Sequence, residues 1–298
     1  MNFKTSLKGL FAITLLTAGS AHAAGFSYQQ VDYPGAVATG IYGIAGNNLS
    51  GFYETAAGVA NGFTGVRSTR AATPTLVSYT YPGAVYTFLT GINALGDTTG
   101  FYSDALGGLN GFTVKAGVAT PVSTPVFGSM VLFGINLQGD VTGLVAPNSG
   151  CLTAFSVITG SHVLFDDPAG DACPAATAMT EAHGINQARS IVGFYTGHGS
   201  VVGFLRSPTG RMSDIVVPGA TATEPNAINT GGQIAGLYDD ASGRHGFVLR
   251  DGTYVTLNVP GAVLTEAYGL NDAGVVVGDF LSASDGQYHG FIATPQGD

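Results

Sequence analysis

Three glutamates recur with nearly the same neighbours: Glu181 in "TEAHGIN" (180–186), Glu224 in "TEPNAIN" (223–229) and Glu266 in "TEAYGLN" (265–271). Carboxylates gathered in a partly enclosed place raise one another's pKa, and perturbed groups in a cleft are candidates for a site. Such a trio could bind a cation, accept the hydroxyls of a sugar, or supply the acid and base of a glycoside hydrolase or lyase. A retaining hydrolase needs two carboxyls about 5–5.5 Å apart. His183 stands two residues from Glu181 and belongs to the one side-chain type that ordinarily titrates near neutral pH. The competing reading is structural. A Thr-Glu pair at a strand start can serve backbone N–H groups or nearby side chains, and it recurs because the fold recurs.

Other chemistry is poorly represented. No Gly-x-Ser-x-Gly elbow, phosphate loop, zinc-protease pair or EF-hand loop occurs. His198, His245 and His289 fall in three different segments, without the spacing of a metal site. We therefore expect no metal and no cofactor. The chain carries 10 Lys and Arg against 19 Asp and Glu, a net charge of −9. That balance argues against nucleic acid, which is bound by basic patches, and against an anionic membrane surface.

The elements that must position the glutamates form a repeat. Six short segments align: "YGIAGNN" (42), "TGINALG" (90), "FGINLQG" (133), "HGINQAR" (183), "NAINTGG" (226) and "YGLNDAG" (268). Their small residues, Gly43, Gly91, Gly134, Gly184, Ala227 and Gly269, lie 48, 43, 50, 43 and 42 residues apart. This period, with several strands in each unit, indicates a propeller or an array. Strand A carries the Gly-Ile-Asn segment. Strand B follows, with "GFY" at 51, 100 and 193 and "GLV", "GLY" and "GDF" at 143, 236 and 278. Strand C opens on "GF" in five units and "AF" at 154, and strand D runs to a Pro-Gly crossing in most. The segment 26–35 is a D strand without its A, B and C, whereas 289–295 is a C strand without its D. Together they complete one unit. The expected fold is therefore all-β: a six-bladed β-propeller of four-stranded antiparallel blades, closed by the N-terminal strand.

In that frame the positions three residues before the small residue surround the channel mouth on the face of the D-to-A crossings. They are Gly40, Phe88, Val131, Glu181, Glu224 and Glu266. The candidate ligand-binding set is thus Glu181, Glu224, Glu266, Phe88, Val131 and His183, an acidic half facing an apolar half. Tyr42, Thr90, Phe133, His183, Asn226 and Tyr268 are expected to pack between blades. The strand C phenylalanines (Phe63, Phe112, Phe155, Phe204, Phe247, Phe291) are expected to form the inter-blade core.

The repeat resembles the bacterial HAF extracellular repeat family, through "HGF" at 245 and 289, the "GIN" turns, and "PGA" at 34, 82, 218 and 260. The third unit departs most. The resemblance implies export and a repeat architecture, with no particular activity.

Residues 1–23 read as a secretory signal peptide: Lys4 and Lys8, then "GLFAITLLTAG", then Ala21-His22-Ala23. Residues 24–298 then form a single propeller domain, secreted or periplasmic, monomeric and without membrane insertion. Cys151 and Cys173 fall in neighbouring loops and are expected to form a disulfide, which persists outside the cytoplasm. The sequence points to a binding or interaction module for a small molecule, glycan or protein. A propeller enzyme using the mouth glutamates and a structural envelope protein are the alternatives.

Overall fold

The computed structural model describes residues 25–67, 73–123, 128–147, 151–171, 178–197 and 199–296. The expected signal peptide, Cys173 and His198 lie outside them. Among the described residues the structure is all-β, with 24 strands and no helix.

Each unit is an antiparallel A-B-C-D sheet. The inner A strands are Ala38–Ala45, Tyr86–Ile92, Gly128–Ile135, Thr180–Ile185, Ala222–Ile228 and Ala262–Leu270. Units 4 and 5 are linked into one eight-stranded sheet by a single parallel bridge, Val201 to Ala222. The outer strand of the sixth unit is Phe26–Val31, paired antiparallel with Tyr288–Pro295 from Phe26↔Pro295 to Val31↔Gly290.

The recurrent residues have local reasons. In five units a threonine in the first half of the inner strand accepts a hydrogen bond from a backbone N–H just after strand D. Thr39 serves Tyr33 (2.9 Å), Thr87 Tyr81 (3.0 Å), Thr180 Asp167 (3.3 Å), Thr223 Val217 (3.1 Å) and Thr265 Val259 (3.0 Å). This satisfies a donor that the crossing would otherwise bury without a partner.

The asparagine of "GIN" does two jobs. Its Oδ1 accepts N–H groups of its own A-B turn, as Asn93 does from Leu95 and Asp97 at 3.0 Å. Its Nδ2 donates to the next unit's turn: Asn93 to Asn136 O, Asn136 to Asn186 O, Asn186 to Asn229 O, Asn229 to Asn271 O, and Asn271 to Gly46 O. Asn48 Nδ2 adds the step from unit 1 to unit 2, to Ala94 O at 3.3 Å. The small residue before it is required by close approach. A Cβ at Gly91 would sit 2.5 Å from Phe133 O, and one at Gly134 2.4 Å from His183 O.

The core lies between sheets. Phe63, Phe112, Phe155, Phe204, Phe247 and Phe291 are each fully buried, and burial of such a side chain is worth roughly 1.5–3 kcal/mol. One cluster joins Val275, Val277 and Ile292 of unit 6 to Ile41, Leu49 and Phe63 of unit 1. No helix among the described residues is long and apolar enough to cross a membrane.

Candidate functional site

All six inner strands contribute to one cavity, and each carries a β-bulge immediately before the small residue, the sixth having a second irregularity between Ala262 and Leu264. The bulged residues are Tyr42, Thr90, Phe133, His183, Asn226 and Tyr268. They pack between units as expected, Phe133 on His183 and Tyr42 on Tyr268, and they also line a cavity of about 150 Å³ that opens on the A-B turn face. The reason is strand parity: residues two apart share a face, so His183 follows Glu181 into the channel, and the bulge re-aims the strand only afterwards.

Above these residues, toward the crossings, the candidate positions separate by half. In units 1 to 3, Val131 is buried and Phe88 lies between two rings, stacked on Phe101 (5.0 Å, 3°) and tilted on Phe52 (4.7 Å). Units 4 to 6 bring carboxyls together. Glu181 Oε2 lies 3.0 Å from His183 Nε2, whose ring stacks on Phe133 at 4.0 Å. Arg244, on strand Gly243–Arg250, grips Asp239 with Nε and Nη2, each at 2.8 Å, and donates from Nη1 to Glu266 Oε1 at 2.8 Å.

Glu224 differs from both other glutamates. It keeps some water contact yet is surrounded by protein, and no hydrogen bond to its carboxyl forms among the described residues. Its pKa is pushed up to about 7, first by burial and then by Glu181, Asp239 and Glu266, against the pull of Arg244.

A fourth acid completes the group. Asp279 is 4% exposed and stands in register with Glu266. Its carboxyl reaches Glu266 by hydrogen bond, while its Oδ1 has no partner. Burial, then Glu266, drives its pKa well above the ordinary carboxyl range. Asp279 also leans toward unit 1: a Cβ on Gly40 would meet its Oδ2 at 2.9 Å. The missing side chain at Gly40 makes the room that Asp279 occupies. Sequence reasoning passed over this residue, although a signal was there. The strand B position that is Phe52, Phe101, Leu144, Phe194 and Leu237 elsewhere is Asp279 in "GDF".

The tyrosines between the halves feel these acids. Burial raises both Tyr42 and Tyr268 well above their usual range, reinforced by Asp279 and Glu266. Their rings meet edge to face at 4.6 Å, and Tyr42 packs on Phe52 at 5.3 Å. Aromatic surface thus runs unbroken from the acidic half to Phe88.

Among the described residues no group of three or more His, Cys, Asp or Glu is arranged to hold a metal ion. His245 instead bonds Asn258 and Ser242, and His289 bonds Asp32 and Asp285. Cys151 is buried, and no described cysteine is free.

No protein-family model matches the sequence, and none of the curated proteins does. Solved structures do. A TolB-type protein from Agrobacterium tumefaciens aligns at a TM-score of 0.59 with 11% identity, over 92% of this chain and 98% of that one. A triple arginine-to-alanine mutant of AofleA from Arthrobotrys oligospora aligns at 0.56 with 13% identity, over 91% and 88%. TolB from Acinetobacter baumannii aligns at 0.55 with 10% identity, over 85% and 65%. The likeness is one of fold. The chain is an all-β, propeller-type protein.

Proposed function

We propose that this chain is an exported, closed six-bladed propeller that acts as a binding module, taking its ligand at the acidic channel mouth on the crossing face. Closure is supported by the pairing of Phe26–Val31 with Tyr288–Pro295 and by the Asn271 to Gly46 hydrogen bond. Export rests on the 1–23 leader and on the resemblance to the HAF repeats. A Cys151–Cys173 disulfide fits the same compartment, as does the buried, non-free Cys151.

The observation that carries the binding reading is Glu224. A deep carboxyl without a hydrogen bond costs stability, and the fold gains nothing visible from it. A ligand that supplies donors removes that cost. Aromatic surface beside acceptors suits either a polyhydroxylated ring or a cation. The test is a panel of neutral sugars and small cations read by calorimetry, on the native chain and on Glu224→Gln. Binding that the substitution abolishes, with the melting temperature retained, supports the reading; absence of binding across the panel overturns it.

One observation favours a second reading. A carboxyl at about 7 is suited to general acid–base work near neutral pH. Turnover of a polysaccharide, lost in Glu224→Gln, would make the protein a hydrolase or lyase.

A further inference from the structure

We propose that the group recognised in the channel is an ammonium: the ligand presents a protonated amine to Glu224 and Asp279, against the rings of Tyr42 and Tyr268. This rests on the binding reading above and narrows its ligand class.

Four observations on the structure point the same way. The first is donor and acceptor supply. Asp279 Oδ1 is a buried acceptor without a partner, and the half-buried Glu224 carboxyl receives no hydrogen bond among the described residues. The fixed cation of the cluster, Arg244, already commits three N–H groups to Asp239 and Glu266. A ligand entering here meets oxygens that need hydrogens, and an ammonium brings three donors and no acceptor.

The second is charge. Glu181, Glu224, Asp239, Glu266 and Asp279 share the space with the guanidinium of Arg244, and His183 is engaged with Glu181. The third is the wall. Tyr268, Tyr42 and Phe52 form a run of ring contacts at 4.6 and 5.3 Å beside the carboxyls, and a cation is attracted to such faces. The fourth is the burial of Asp279 itself. It sits 4% exposed at a strand position that is Phe or Leu in the five other units, in space left by Gly40. A buried carboxyl with one oxygen unmet is an expensive replacement for a hydrocarbon, and the group opposite it is another carboxyl, that of Glu266.

A metal ion fits less well, because no metal-holding arrangement of these acids is present among the described residues. Entry of an ammonium favours the ionised forms of Glu224 and Asp279, whose pKa values burial raises, so binding releases protons to solvent. Nothing else need be transferred.

The experiment uses the full mature chain with two probes of the same shape, glucosamine and glucose, by calorimetry at pH 7 in two buffers of different ionisation enthalpy. The expected result is binding of glucosamine and not glucose, with protons released to buffer. Asp279→Asn should weaken glucosamine by about tenfold or more, the scale of one charge-assisted hydrogen bond, while leaving the melting temperature unchanged or higher. If Asp279→Asn fails to fold, Tyr268→Leu serves instead and should weaken glucosamine without touching the carboxyls. Equal affinity for the two sugars overturns the ammonium assignment and leaves the binding reading standing. Failure of both probes to bind overturns the ammonium assignment, while the wider panel of neutral sugars and small cations decides the binding reading.

Discussion

The two halves of the channel occupy equivalent strand positions and differ in almost everything else. On one side Phe88 is enclosed by Phe52 and Phe101, Val131 is buried, and Gly40 offers no side chain. On the other, Glu181, Glu224 and Glu266 stand at the same register with Arg244 and Asp279 among them. The backbone is indifferent to the exchange because its needs are met elsewhere. The preceding threonine serves the crossing, and the following asparagine serves the turn and the neighbouring unit. The position between them is free for a ring or a carboxylate, so what stands there reflects local packing or a ligand rather than the repeat.

The comparison can be broken most severely by moving charge to the apolar side. Phe88→Glu should destabilise the protein by about 4 kcal/mol or more, since it removes a packed ring and buries an unpaired carboxylate; urea unfolding measures this, and a loss under 1 kcal/mol would show that the halves are interchangeable. On the acidic side, Arg244→Met leaves Asp239 and Glu266 without their donor and should cost about 1.5–3 kcal/mol, read from the same denaturation. The third prediction concerns pH. The folded chain keeps the Glu224 proton that an ordinary carboxyl, at 4.5, has already lost. Stability should therefore fall as pH rises from about 4.5 to about 7 and level off above, and Glu224→Gln should remove that component of the slope. An unchanged slope would mean that Glu224 is ionised throughout. The smallest effect belongs to Asp279→Leu, which restores the residue of units 3 and 5. The change should lie between neutral and about 1 kcal/mol more stable, and a clear loss would give the carboxyl a structural role.

Much of the architecture was legible in the sequence because the repeat writes its backbone requirements as residue types. Gly91 and Gly134 announce close strand approach, Asn93 and its equivalents announce the turn, and Phe63 and its equivalents announce the inter-sheet core. The candidate site was legible only in part. Glu181, Glu224 and Glu266 stood out as a departure from the repeat, yet the threonine beside each proved to belong to the crossings. His183, Tyr42 and Tyr268 pack between units as read, but the bulge at each of them was not legible, because it depends on the partner strand's register. Asp279 was missed because its significance lies in the contrast among six copies of strand B and in the vacancy at Gly40, a residue some 240 positions away.

The pairing of Phe26–Val31 with Tyr288–Pro295 carries a consequence for how the molecule is made. A ribosome delivers the first of these strands more than 250 residues before the second. Through the whole interval the early strand has no edge to join, and Tyr28 has no Phe291 to pack against. The sixth sheet is thus assembled after the other five, and its completion depends on closing a loop of more than 250 residues. Until that loop closes, the edge of Tyr288–Pro295 that Phe26–Val31 covers stays open to any other strand.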